Sequence, residues 1–300
     1  PIHGRIKGTM DDFRQQDTFN ASTARSVEPE ILPPNGQPNG WYPPPGQQYR
    51  QPQPRQRRPG WAFAPATYVL CGINSAVYLA MVLSGVSFWD PTIAQLLHWG
   101  ANNGTYVLLG GQWWRLITAM FVHVGIIHIA TNLWCLWNLG LLAEPLMGPF
   151  GVFAAYLLTG FAGNLLSVAV HPGVPGGPQS VVGAGASGAV FGLAGVLIVL
   201  LKSPLLPLPK LELKKLRRSV IYFALLNLGI GLYTAVGPSP IHIDNMAHLG
   251  GFLSGLALGV PLVPRIGAPR PLFERRRMWG VGVTAFVLLL MAFGVHAFWG

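Results

Sequence analysis

Residues 145–201 read PLMGPFGVFAAYLLTGFAGNLLSVAVHPGVPGGPQSVVGAGASGAVFGLAGVLIVLL, a run of 57 residues without Asp, Glu, Lys or Arg. About 20 helical residues, at ~1.5 Å each, cross a hydrocarbon core ~30 Å thick, so this run is long enough to cross it twice. Prolines and glycines cluster at 172–178 and favour a turn there. The run therefore predicts two membrane-spanning helices, at about 150–170 and 186–201, joined by a loop.

The rest of the chain from residue 61 onward repeats this pattern of apolar runs and short polar breaks. The whole sequence is 51% hydrophobic and 10% charged, whereas a soluble domain has roughly 25% charged residues. Helices are expected because an isolated span must satisfy its backbone polar groups internally. We therefore predict an all-α membrane protein, a polytopic bundle of about seven transmembrane helices. The five further spans are predicted at 63–85, 119–142, 219–236, 246–264 and 279–299.

The N-terminal segment has a different composition. Residues 1–60 contain 13 of the 30 charged residues and are rich in Pro, Gln, Asn and Arg. Such a segment cannot bury enough apolar surface to fold, so we expect a disordered cytoplasmic tail. The predicted organisation is a tail (1–60), a six-helix core (61–264), and a basic loop with a seventh helix (265–300).

Basic residues predict the orientation in the membrane. They concentrate in 202–218, in 265–277 and at the end of the tail, and all three segments lie on one side if the N-terminus is cytoplasmic and the C-terminus outside. We interpret them as topology signals rather than ligand sites, and we expect no nucleic-acid partner despite the net charge of +10. The tail does not resemble a transit peptide, which favours a multi-pass protein of the plasma membrane.

Four polar side chains stand out within the predicted spans: His128, Asn132, Ser187 and His248. Each costs free energy in a membrane unless it has a partner or a function. His128, Ser187 and His248 lie 16, 15 and 17 residues before the charge that ends their helix, which is roughly 22–26 Å in each case. The three side chains are therefore expected at one depth, as in a shared site.

Ser187 and His248 form a chemically coherent pair. A serine hydroxyl is a poor nucleophile until a nearby base takes its proton, and histidine can do so near neutral pH. Gly185 and Gly188 allow a sharp turn into the helix and close approach of a substrate carbonyl. We predict a Ser-His dyad with Ser187 as nucleophile and His248 as general base, and we expect Phe191 to pack on the imidazole.

Further polar groups are expected around the oxygen of the attacked carbonyl. The N–H of Ser187 is unpaired at a helix start, and His128 and Asn132, at i and i+4, lie on one helix face as additional donors. Asp244 fits a helix cap, and the alternative is that it orients His248. The other histidines receive no role. We expect no metal and no cofactor, because no cluster has metal-ligand spacing.

Four short motifs carry these residues in a distinctive order. They are Trp114-Arg115, His128-x-x-x-Asn132, Gly185-Ala186-Ser187-Gly188 and Ala247-His248-Leu249-Gly250-Gly251-x-x-x-Gly255. At these residues the chain resembles the rhomboid family of intramembrane serine proteases, in its bacterial type with a six-helix core and a C-terminal seventh helix. The resemblance covers about 61–264 and implies a short central fourth helix with Ser187 at the floor of a water-filled cavity.

The resemblance also implies roles for individual residues and a reaction. It assigns the same dyad and oxyanion groups, and it makes Gly251 and Gly255 small contacts that pack helix six on helix four. Glu144 corresponds to a structural acid at the end of helix two, and Arg115 to an arginine that fixes the membrane-interface loop. The implied reaction is hydrolysis of a peptide bond in or near a substrate's transmembrane helix, through an acyl-enzyme.

Two other functions remain open from the sequence. One is a non-catalytic rhomboid-like adaptor that binds transmembrane helices, and the other is a polytopic transporter with His128, His248 and Asn132 along a polar path. The expected partners are transmembrane protein substrates and membrane lipid. The sequence leaves the oligomeric state undecided.

Overall fold

The structure, a computed structural model, describes residues 64–236 and 244–300. The predicted tail, 1–60, lies outside the described residues. Within the described ranges the regular structure is helical, apart from an isolated bridge between Asn102 and Gly183. The predicted all-α class is confirmed.

The two described ranges contain nine helices: α1 (Pro65–Leu83), α2 (Ile93–His98), α3 (Gly104–Leu108), α4 (Arg115–Thr118), α5 (Gly125–Val170), α6 (Ser187–Leu200), α7 (Lys210–Val236), α8 (Asn245–Gly259) and α9 (Arg270–Trp299). The seven predicted spans fall on α1, on α5, which accounts for two, and on α6, α7, α8 and α9. In the described ranges, α1, α5 and α9 are long and apolar enough by themselves to cross a membrane.

A break at Gly148 divides α5 into two segments. Gly148 has φ 72° and ψ 166°, and Pro145 and Pro149 flank it. Proline removes a backbone donor and clashes with the preceding turn, so a helix cannot continue straight through this sequence. The first segment, before Gly148, and the second, after it, match the two separate spans that the sequence predicts.

Several predicted boundaries are wrong, each for a local reason. The span predicted from 119 begins at Gly125, which has φ +78° and whose Cβ, if present, would overlap the carbonyl of Trp89. The span predicted to end at 264 stops at Gly259, because Pro261 and Pro264 follow. α7 and α9 contain the spans predicted at 219–236 and 279–299 and begin nine residues before them, because basic residues continue each helix beyond its apolar stretch.

The short helix α6 is at the centre of the bundle. Apart from Ser187 and Val199, all of its residues are buried. A Cβ at Gly255 of α8 would overlap the carbonyl of Gly192, and a Cβ at Gly192 would overlap the side chain of Thr159 on α5. Backbone therefore packs directly on α6, and the central position implied for this helix is confirmed.

The connections between helices gather at two ends of the bundle. The Arg265 N–H donates to the carbonyl of Leu146 at 2.6 Å, and a Cβ at Gly267 would overlap the carbonyl of Leu205. The Gly148 break, the α6–α7 connection and the α8–α9 connection thus share one end, which we call the basic end. The first residues of α5, α6 and α8 lie at the opposite end, which we call the site end.

Candidate active site

Ser187 is the first residue of α6, and fixed hydrogen bonds position the chain before it. Gly185, with φ +120°, adopts a conformation that favours glycine, and its N–H donates to the carbonyl of Ala119 at 2.9 Å. The Ala186 N–H donates to Nε2 of His123 at 3.3 Å. The N–H of Ser187 has no partner one turn back in the helix, and the side chain is partly exposed.

His248 lies on α8 and packs against α6. Its side chain is buried, and its ring stacks on that of Phe191 with centroids 4.4 Å apart and an interplanar angle of 19°. Phe191 is one turn after Ser187 on α6, so the His248 ring lies beside the first turn of the helix that begins with Ser187. Nδ1 of His248 is buried and has no hydrogen-bond partner among the described residues.

Glycines bring the backbones of α6 and α8 into contact beside this pair. A Cβ at Gly251 would overlap the carbonyl oxygen of Gly188, and a Cβ at Gly188 would lie 3.2 Å from the carbonyl oxygen of Ala247. The residue after Ser187 is therefore adjacent to the residue before His248. The predicted contact of Gly251 with the central helix is present, as is that of Gly255.

His128 and Asn132 lie against the residues that precede Ser187. A Cβ at Gly185 would lie 2.9 Å from Nε2 of His128 and 3.6 Å from Nδ2 of Asn132. Nδ1 of His128 accepts the N–H of Val124 at 3.2 Å, so the ring proton is on Nε2, the nitrogen that faces Gly185. One Asn132 amide hydrogen donates to the carbonyl of His128 at 3.0 Å, which leaves the other available.

Asp244 caps α8, as predicted. One carboxylate oxygen accepts the N–H of Ala247 at 3.0 Å, and the other accepts the hydroxyl of Ser167. Both oxygens are therefore already used within the helix start and its contact with α5. In the part of the chain that the structure describes, no group of three or more His, Cys, Asp or Glu side chains is arranged to hold a metal ion.

Glu144 is a buried acid at the basic end. Its carboxylate accepts the N–H groups of Ala66 and Thr67, each at 2.9 Å, and the Thr67 hydroxyl at 2.7 Å. These are unpaired donors of the first turn of α1, so Glu144 supplies the cap that the sequence of α1 lacks. The structural role implied for this residue agrees with these contacts.

Arg115 holds together the connection between α1 and α5. Its Nη1 donates to the carbonyls of Leu97 and Ala101, at 2.7 and 2.9 Å. The guanidinium lies 4.7 Å from the ring centroids of both Tyr106 and Trp114. Burial lowers the pKa of Arg115, but the group stays charged in proteins. This arrangement agrees with the loop-fixing role implied by the sequence.

A family model described as the rhomboid domain matches residues 110–265, just over half of the chain. The chain belongs to the rhomboid family. This rhomboid protein is 28% identical to "Rhomboid protease GluP" of Bacillus subtilis (strain 168) over 77% of its own length and 41% of the relative's. It is 35% identical to "RHOMBOID-like protein 6, mitochondrial" of Arabidopsis thaliana over 59% of its length and 52% of the relative's.

A third relative is matched over a larger share of its own length than the first two. "Rhomboid-like protease 2" of Toxoplasma gondii is 29% identical over 73% of this chain and 73% of its own. The rhomboid protein spans about half or less of the first two relatives. Family membership and the long apolar helices make it an integral membrane protein.

His123 is a residue of the candidate active site that the sequence does not single out. Its Nε2 accepts the Ala186 N–H at 3.3 Å, its Nδ1 lies 3.1 Å from the carbonyl of Phe121, and its ring is 5.3 Å from that of His128. The ring proton is thus on Nδ1, and His123 is a fixed acceptor for the peptide that precedes Ser187. Its closeness to His128 in sequence is the one signal that could have indicated it.

Proposed function

We propose that this rhomboid protein is a serine endopeptidase that hydrolyses a peptide bond in or near the transmembrane helix of a substrate protein. The observation that carries the proposal is the 4.4 Å stack of the His248 ring on Phe191. Phe191 is one helical turn, ~5.4 Å, from Ser187. A base is therefore held beside the start of the helix that carries the serine.

The first half of the reaction forms an acyl-enzyme. Oγ of Ser187 attacks the scissile carbonyl carbon, and its proton passes to Nε2 of His248, since Nδ1 is enclosed. The carbonyl oxygen becomes an oxyanion that accepts hydrogen bonds from the Ser187 N–H, from Nε2–H of His128 and from the available amide hydrogen of Asn132. The C–N bond then breaks, and His248 gives its proton to the leaving amine.

The second half releases the acyl group. His248 takes a proton from a water molecule, whose oxygen attacks the ester carbonyl, and the same donors stabilise the new oxyanion. The ester bond breaks, the proton returns to Oγ of Ser187, and a carboxylic acid is released. These steps use only backbone and side-chain groups of this chain and water.

In this proposal Ser187 and His248 act without a carboxylate as a third catalytic residue. Both oxygens of Asp244 accept hydrogen bonds elsewhere, and Nδ1 of His248 has no hydrogen-bond partner among the described residues. The flat face of Phe191 fixes the imidazole plane instead. Packing thus orients the His248 ring, which is one of the two roles of the acid in a triad; the other, stabilisation of the imidazolium, has no counterpart in the described part of the chain.

Substrate and orientation follow from the position of the site. A hydrogen-bonded helix hides its carbonyl groups, so we expect substrates whose transmembrane helix is weakened by Gly or Pro near the cut. We propose that the site end faces the outside of the plasma membrane and the basic end faces the cytoplasm. We further propose the division into a tail (1–60), a protease core (61–264) and a C-terminal unit (265–300).

Labelling with a fluorophosphonate probe tests the dyad without a known substrate. The detergent-purified protein is treated with the probe and the modified peptide is mapped by mass spectrometry. We expect modification at Ser187 that is lost in Ser187→Ala and in His248→Ala. Ser219→Ala, which removes an exposed serine on α7, is the control and should label like the wild type. Absence of labelling in a cooperatively unfolding wild-type sample would contradict the dyad and favour the adaptor.

A further inference from the structure

A cavity of about 430 Å³ lies at the basic end, outside the proposed active site. We call it the basic cavity. The α5 break, the α8–α9 connection and the first turns of α9 meet around it, through Gly148, Pro149, Arg265, Ala268, Phe273 and Arg277. Gly148 allows the close approach, because a Cβ there would lie 3.3 Å from Nη1 of Arg277.

Arg277 is held in a defined orientation at this cavity. Its guanidinium carbon lies 5.2 Å from the ring centroid of Phe150 and 4.8 Å from that of Phe273. Its Nε is buried and makes no hydrogen bond within the described residues. The Arg277 guanidinium therefore contributes its charge to the cavity lining without a salt-bridge partner among the described residues.

The charges around the cavity are not balanced. Arg270 pairs with Glu274 at 2.8 Å, and this hydrogen bond and charge lower the pKa of the Glu274 carboxyl. Arg265 and Arg277 form no salt bridge in the described part of the chain. With three arginines and one glutamate along its lining, the cavity has a net charge of two positive.

Apolar surface continues from the cavity toward the membrane. After Arg277, the exposed surface of α9 is apolar at Met278, Trp279 and Val283. Trp279 and Val283 lie inside the span predicted at 279–299. A ligand that follows this surface has an anionic head at the arginines and an apolar part beside α9, which is the chemistry of a phospholipid and not of a free anion.

We propose that the basic cavity binds the phosphate of an anionic phospholipid. Arg277 offers the phosphate a planar fork of donors, Arg265 adds charge, and the acyl chains lie against the exposed apolar surface of α9 at Trp279 and Val283. The lipid would join the α5 break to α9 and so hold the seventh helix on the core. From the sequence alone, the basic residues of 265–277 indicate only the topology. The proposal does not depend on the proposed protease activity.

Native mass spectrometry of the full chain, delipidated in detergent, tests the site. Dioctanoyl-phosphatidylglycerol and dioctanoyl-phosphatidylcholine are titrated separately, and inorganic phosphate is added as a competitor. We expect one saturable phosphatidylglycerol, bound at least ten-fold more tightly than phosphatidylcholine. Arg277→Gln should raise its Kd at least ten-fold. Arg218→Gln, an exposed basic residue outside the cavity lining, should leave it unchanged.

Three results would overturn the proposal. Equal Kd values for the two lipids would remove the role of the anionic head. A free anion would be the ligand if millimolar inorganic phosphate displaced phosphatidylglycerol and raised the Tm of the protein as much as phosphatidylglycerol does. An unchanged Kd in both Arg277→Gln and Arg265→Gln would place the lipid elsewhere. If Arg277→Gln does not unfold cooperatively, Arg265→Gln carries the test, because Arg265 is exposed.

Discussion

At the residue scale, the N–H groups of Gly185, Ala186 and Ser187 follow one another, and among the described residues only the first two have acceptors. Those of Gly185 and Ala186 are taken by Ala119 and His123, and that of Ser187 begins the helix without an acceptor. Because the two preceding peptides are fixed, the third N–H points in a defined direction before substrate arrives. In the proposed reaction this preorganisation supplies an oxyanion donor without reorganisation.

His123→Ala tests whether this fixed peptide matters. The substitution leaves the buried Ala186 N–H without an acceptor, at a cost of about 1–3 kcal/mol. We expect the rate of fluorophosphonate labelling at Ser187 to fall about ten-fold, equivalent to ~1.4 kcal/mol, with the same serine modified.

The matched control for this prediction is His98→Ala, which removes the exposed histidine at the end of α2 and should leave the rate unchanged. His123→Asn, which restores a side-chain acceptor, should recover part of it. A wild-type rate in a folded His123→Ala protein would contradict the positioning role.

The sequence indicates some site residues and not others for a physical reason. His128, Ser187 and His248 stand out because polar groups in apolar helices are costly and therefore rare. His123 precedes α5 in a turn, where a histidine is unremarkable. Its partner Ala186 is 63 residues away in sequence, and helical periodicity contains no information about such a contact.

At the element scale, α6 and α8 pack closely enough to position His248 because their contact residues lack side chains. In Gly251→Ala the new methyl group would overlap the carbonyl oxygen of Gly188, a backbone atom that cannot rotate away. α8 must move, and His248 moves with it. We expect labelling of Ser187 to fall at least 100-fold, measured as the labelling rate with the fluorophosphonate.

Gly282→Ala is the matched control, because a Cβ at Gly282 meets no atom within 4 Å. It should label like the wild type and unfold at the same or a higher temperature. Normal labelling of Gly251→Ala would contradict the helix contact itself.

α1 depends on an acid from another helix. Glu144 accepts three hydrogen bonds from Ala66 and Thr67. In Glu144→Gln an NH₂ group replaces one carboxylate oxygen, and it cannot accept a hydrogen bond from the donor that it faces. Losing a buried bond to a charged acceptor costs about 2 kcal/mol, hence about 5 °C in Tm for a chain of this size. Differential scanning fluorimetry in detergent measures this shift.

The control for α1 is Glu212→Gln, whose ion pair with Lys215 is exposed and should change Tm by less than 1 °C, since such pairs contribute little. An equal Tm for wild type and Glu144→Gln would mean that Glu144 does not anchor α1.

The predictable part of each element is its apolar centre. Length and hydropathy locate the seven spans and separate 119–142 from 150–170, the two spans that the structure joins in α5. Helix starts are less predictable. Charged residues such as Lys210 and Arg270 are also compatible with a helix, so α7 and α9 begin before their apolar stretches. Gly125 starts its helix with a positive φ, and its backbone lies too close to the carbonyl of Trp89 for a Cβ. The local sequence pattern does not show this contact.

At the scale of the whole molecule, the two ends of the bundle differ in chemistry. The described residues place His128, Ser187 and His248 at the site end, and the arginines of the basic cavity at the other. Positive residues are retained on the cytoplasmic side of a membrane. The orientation of the molecule therefore decides on which side the proposed proteolysis takes place.

Cysteine accessibility in intact bacterial cells tests this orientation. In a Cys71→Ala, Cys135→Ala background, Gln179→Cys reports the site end and Leu208→Cys reports the basic end, both at exposed positions. We expect a membrane-impermeant maleimide to label Gln179→Cys in intact cells and to label Leu208→Cys only after permeabilisation. Labelling of both in permeabilised cells is the control for reactivity. Because one set of helices connects the two ends, the reverse pattern would contradict the cytoplasmic basic end and the outer position of the dyad together.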